Sequence, residues 1–171
     1  MFDPTIFENL KVAFENHVYD LDNLSGEINI TNRIDRMELA VMSREFTLQF
    51  TLADQQDVLA EIVLGASIKD LAAEILETSD ENPGCTLLLR FLMKVEDVAT
   101  QCKQIKDVVQ KIWKPDFPPV QTLSFEYNQE QVVYLDTVEI KFKHKINEDH
   151  MGDIPDFLDH VLMTLRELNR V

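Results

Sequence analysis

The residues best suited to chemistry lie near the C-terminus. His150, Asp153, Asp156 and His160 follow one another at short spacing. If a helix begins near Asp153, then Asp156 and His160 stand on one face at i,i+4. An imidazole and a carboxylate at that spacing can both reach a divalent cation such as Zn²⁺ or Mn²⁺. His150, Asp156 and His160 are therefore the candidate metal ligands. A plainer role competes: Asp149, Asp153 and Asp156 crowd a helix start, where the helix dipole favours negative charge.

Two rows of cations form a second constellation. Lys103, Lys106, Lys111 and Lys114 fall on a predicted helix, and Lys141, Lys143 and Lys145 alternate along a predicted strand. They can face an acidic partner protein or the acidic half of a second copy of the chain. Equally, they can solvate a helix face and protect an edge strand against aggregation. The single tryptophan, Trp113, and Phe117 flank a proline-rich turn at 114–119. They form either an aromatic patch for a partner or a corner that seals the core. Trp113, Phe117, Lys141, Lys143 and Lys145 are the candidate interaction residues.

Nucleophile and phosphate motifs are missing. There is no Gly-x-Ser-x-Gly, no Walker pattern and no Rossmann pattern, and the four glycines never pair. Cys85 opens an apolar run and Cys102 lies on an apolar helix stripe, so both read as reduced core thiols without polarising neighbours. His17, on the apolar side of the first helix, reads as a buried structural histidine. No catalytic residue is assigned, and no cofactor is expected.

Charge narrows the partners. The 171 residues carry 16 basic and 31 acidic side chains, a net charge of −15. Such a field opposes nonspecific binding to a phosphate backbone, so nucleic acid is not an expected partner. The excess is uneven: residues 1–89 carry −12, residues 90–145 carry +1, and residues 146–171 carry −4. The start lacks a basic stretch leading into an apolar core, and no apolar run approaches the ~20 residues of a membrane span. The expectation is a cytoplasmic protein with no membrane partner.

The elements that must position these residues are legible from periodicity. Asp3, Pro4 and Thr5-x-x-Glu8 signal a first helix that ends by Leu24, before Ser25-Gly26. Residues 27–65 read as four strands, with Phe46, Leu48, Phe50 and Leu52 the cleanest alternation, although 34–46 also has helical spacings. Ser67 caps a second helix. A polar loop at 78–84 is a candidate internal boundary. Residues 85–95 read as a central strand and 96–113 as a third helix. Residues 122–127 form a strand. Residues 132–146 form one long strand or two short ones broken near Asp136-Thr137. A last helix begins near Asp153, with Pro155 in its first turn.

The expected order is α-β-β-β-β-α-β-α-β-β-α: a single α+β domain over residues 1–171, with a largely antiparallel sheet of about six or seven strands and four helices packed on it. The expected function is a non-catalytic acidic protein acting through protein–protein contact, as a homodimer. The alternative is a small-molecule or metal site near the start of the last helix.

Overall fold

The computed structural model describes residues 5–78 and 82–171. It is an α+β fold built on one antiparallel sheet. The elements are α1 (Ile6–Asn23), β1 (Ile28–Glu38), β2 (Ser43–Leu52), β3 (Val58–Ala66), α2 (Ile68–Ile75), β4 (Thr86–Val95), α3 (Val98–Trp113), β5 (Val120–Ser124), β6 (Tyr134–Lys141) and α4 (Ile154–Leu168). A short 3-10 helix, Glu148–Asp153, leads into α4. The six strands lie in the order β1-β2-β3-β4-β6-β5.

Local chemistry sets the helix starts. Thr5 Oγ1 accepts from Glu8 N at 3.2 Å, and Ser67 Oγ accepts from Asp70 N at 3.2 Å. Each hydroxyl satisfies a first-turn amide that has no partner within the helix. The expected contributions of Asp3 and Pro4 fall outside the described residues, as do residues 79–81 of the 78–84 loop. At its other end α3 stops on Lys114 in the left-handed conformation (φ 44°), with Pro115 unable to continue the helix.

The stretch from 28 to 41 is one strand and a turn rather than two strands. β1 pairs with β2 from Ile28↔Leu52 to Glu38↔Ser43, so residues 39–42 close a hairpin with Met42 at φ 53°. Leu39 and Val41, expected in a strand, are exposed at that tip. A bulge between Ile30 and Asn32 adds one residue to β1. One extra residue reverses the facing of everything after it. Ile30 therefore joins the core, whereas Ile34, opposite Thr47, turns to the other face.

The core lies between one sheet face and the helices. Phe46, Leu48 and Phe50 of β2, Ala60, Ile62 and Leu64 of β3, Leu89 and Phe91 of β4, and Val138 and Ile140 of β6 meet Phe14, Ile105, Val161 and Leu165. Burying a large apolar side chain contributes about 1.5–3 kcal/mol each. α4 is the central helix, touching α1, α3, β2 and β3. No helix among the described residues is long and apolar enough to cross a membrane.

Candidate functional site

The start of α4 gathers most of the residues singled out by the sequence. The capping box of the 3-10 helix uses His150 Nδ1, which accepts from Asn147 N at 3.0 Å. His160 Nδ1 sits 2.7 Å from the Asp156 carbonyl, one turn back on the same helix. His160 thus meets the backbone of Asp156 rather than sharing a ligand with its carboxylate. Among the described residues, no group of three or more His, Cys, Asp and Glu side chains is placed to hold a metal ion.

Trp113 is the sealed corner, not the exposed patch. Its ring meets Phe142 at 5.9 Å, Phe157 at 5.4 Å and His160 at 5.6 Å between centroids. Its Nε1 donates to Thr164 Oγ1 at 2.9 Å, and Thr164 is fully buried. Phe117 remains about half exposed. Beside this corner a cleft of about 270 Å³ is lined by the apolar Phe14, Leu87, Phe142, Ile146 and Phe157 together with polar residues that include Lys143, His150 and Asp153.

The lysine row is not one strand face. β6 ends at Lys141, and it is an inner strand between β4 and β5 rather than an edge. Lys141 lies opposite Leu88, and Lys143 stands at the cleft. Lys145 Nζ reaches Asp70 at 2.6 Å. Burial raises the proton affinity of Asp70, but the hydrogen bonds from Lys145 and Ser67 outweigh it and hold the carboxyl below its ordinary value.

A second surface escaped the sequence reading altogether. Among the described residues, the helices pack on one face of the sheet and leave the other open. Cross-strand partners share a face, so the register identifies it. Gln49, Glu61, Arg90 and Glu139 stand opposite one another across β2, β3, β4 and β6. Arg90 Nη1 meets Glu61 Oε1 at 2.5 Å and its Nε lies 3.7 Å from Glu139 Oε2, while Gln49 donates to the other oxygen of Glu61. Leu59 and Leu92 flank this row on one side, Val63 and Leu88 on the other, and none belongs to the core cluster. Four cations (Arg36, Arg90, Lys94, Lys141) and four carboxylates (Glu38, Glu45, Glu61, Glu139) lie on this face. It is neutral, on a chain of net charge −15.

Of the two readings of 132–146, one strand or two broken near Asp136-Thr137, β6 runs unbroken through both residues, and Asp136 is a buried core position. Asp136 stands on the helix face of β6, opposite Met93 of β4 and Leu123 of β5, and is fully buried. Cys102 Sγ on α3 lies 3.9 Å from its Oδ2, a long S–H···O contact. Gln121 Nε2 of β5 donates to the Cys102 carbonyl at 2.9 Å. Asp136 Oδ1 and Gln121 Oε1 are buried, with no hydrogen-bond partner among the described residues. Burial pushes the Asp136 carboxyl up to about 6 despite the thiol contact. Both cysteines are free thiols, and burial raises both, Cys85 to about 12. Neither is activated as a nucleophile.

The chain matches no known family model, no curated protein and no solved structure. Its functional reading therefore rests on these surfaces alone.

Proposed function

We propose that this is a non-catalytic acidic protein that acts through protein–protein contact, and that the contact is with a second copy of itself across the open sheet face. The observation that carries this is the neutrality of that face. Two chains of net charge −15 repel wherever their acidic surfaces meet. The open face is where two copies can approach without that penalty, and the half-buried Leu59, Leu88 and Leu92 supply apolar surface there. Arg90 between Glu61 and Glu139 is self-complementary: a shift of one strand places the cation of one copy against a carboxylate of the other. Six strands about 4.8 Å apart and about eight residues long give a footprint on the order of 700 Å². That approaches the roughly 800 Å² per partner of a standard interface. Two free thiols suit a reducing compartment such as the cytoplasm.

Salt dependence makes the test specific. Screening weakens the repulsion between the acidic surfaces but costs a neutral apolar interface little. Sedimentation velocity at micromolar concentration should show a dimer that tightens from low to high salt. Leu92→Lys, which lowers the net negative charge, should give a folded monomer. A strict monomer at both salt concentrations overturns the proposal. A dimer that dissolves in salt points instead to lysines facing the acidic half of the partner.

The cleft beside Trp113 favours a second reading, a small-molecule site at the start of the last helix. Its aromatic walls fit a flat apolar ring, and Lys143, for which no ion pair is seen among the described residues, fits a carboxylate on that ring. Titration with 2-naphthoate followed by Trp113 fluorescence tests it, with Lys143→Met as the control. No saturable change, or equal binding by the variant, removes this reading.

A further inference from the structure

We infer that in mildly acidic solution Asp136 of the folded protein holds a proton and donates it to the Gln121 carboxamide, so that the edge strand β5 is tied to α3 more tightly in acid than in base. An ionised carboxylate only accepts hydrogen bonds, and so does a carboxamide oxygen. Asp136 Oδ1 and Gln121 Oε1 are both buried, and neither has a donor among the described residues. They cannot satisfy each other while Asp136 is charged. One proton on Asp136 supplies the missing donor to both.

The geometry brings the two groups together. Gln121 lies opposite Val138 and Asp136 opposite Leu123, which makes them diagonal neighbours on the helix face of adjacent strands. Both converge on Cys102, Gln121 through the backbone carbonyl and Asp136 through the thiol. The titratable group facing Asp136 from α3 is Cys102, itself held neutral by burial. β4 presents Met93, and β5 presents Leu123 and Gln121, none of them charged. No cation offsets the burial, and the carboxyl is accordingly pushed up to about 6.

The consequence falls on β5. This five-residue strand is the last in the sheet and pairs only with β6. Gln121 is its polar tie to α3. When Asp136 ionises, two acceptors oppose each other behind that tie, and the strand opens more often. The sign follows from linkage. A carboxyl raised in the closed state favours that state below its raised pKa, and the advantage disappears as pH rises through it.

Two measurements test this on the whole protein. Carboxyl ¹³C NMR should place the Asp136 titration midpoint near 6, well above an ordinary aspartate. Hydrogen exchange at Gln121 and Leu123, corrected for intrinsic rates, should show opening about tenfold more frequent at pH about 7.5 than at pH about 5. Asp136→Asn carries a permanent donor and should abolish that pH difference. A midpoint at or below the ordinary aspartate value overturns the inference, and that experiment needs no variant. An exchange difference that persists in Asp136→Asn overturns it as well.

Discussion

Trp113 and Thr164 are joined by a hydrogen bond that links the end of α3 to the middle of α4, Nε1 to Oγ1 at 2.9 Å. Thr164 in turn donates to the His160 carbonyl at 2.7 Å. Replacing the hydroxyl by a methyl of the same shape, Thr164→Val, leaves the indole N–H without its acceptor. The expected cost is about 1–3 kcal/mol. Urea unfolding followed by far-UV circular dichroism, a signal that does not depend on the single tryptophan, measures it in every variant. Adding Trp113→Phe removes the orphaned donor, so the double variant should lose less than the sum of the two single changes.

Gly84 stands where no side chain fits. A Cβ there would lie 2.8 Å from the Ile146 carbonyl oxygen and 3.0 Å from Lys145 Cβ. The next residue, Cys85, pairs with Ile146 through two backbone hydrogen bonds of 2.8 and 2.9 Å. Gly84→Ala should push these segments apart and lower stability by about 1–3 kcal/mol. Amide exchange at Cys85 and Ile146 should rise above that of the rest of the sheet. An unchanged denaturation midpoint would contradict the close approach.

Stability should pass through a maximum in mildly acidic solution. Asp136 is raised in the fold, so its cost is absent below the ordinary aspartate value and grows as pH climbs through about 6. Asp70, Asp35 and Glu8 are lowered despite their burial, by Lys145 in the first case and by Lys11 and Arg44 in the others. Their contribution is present above the ordinary carboxyl values and disappears as pH falls through the folded ones. Denaturation midpoints across pH should therefore rise from neutral to about pH 5 and fall below about pH 4. Lys145→Met should reduce the acid-side fall, and Asp136→Asn should flatten the neutral side. A monotonic rise from acid to neutral pH in the native chain would contradict the assignment of Asp136.

Arg44 ties three elements at one point. Its guanidinium bonds Glu8 of α1 and Asp35 of β1, the latter at 2.9 Å, and lies 4.6 Å from the centre of the Phe7 ring. A lysine ammonium lacks the planar fork needed to meet both carboxylates while stacking on that ring. Arg44→Lys should therefore destabilise by about 1 kcal/mol. A double-mutant cycle with Asp35→Asn should give a coupling of at least about 0.5 kcal/mol. Additive single changes would show that the pair contributes nothing.

The sequence carried the fold further than it carried the sites. Strict alternation from Phe46 to Leu52 and the stripe Leu158, Val161, Leu162, Leu165 each record burial on one side, and those positions are buried as expected. The β1 bulge was not legible, because one inserted residue leaves no mark until the partner strand is known. Asp136-Thr137 left a break open as one of two readings because an aspartate rarely stands in the core, and its place there depends on Cys102 and Gln121, distant in sequence. The lysines from 141 to 145 alternated convincingly, yet pairing with β4 ends at Lys141 and the rest belong to other contacts. Trp113 beside a proline-rich turn read either as a partner patch or as a sealing corner, and only the packing of α4 shows that it is partly buried against the core. The open-face row was invisible for the same reason: Gln49, Glu61, Arg90 and Glu139 become neighbours only through the register.

The charge balance of the open sheet face makes the molecule electrically lopsided. Among the described residues, the acidic excess lies off that face. A cationic support, such as an anion-exchange matrix, would grip the chain anywhere except there. Adsorbed molecules would share an orientation, with the ion-paired strands turned away from the support and accessible to a probe in solution.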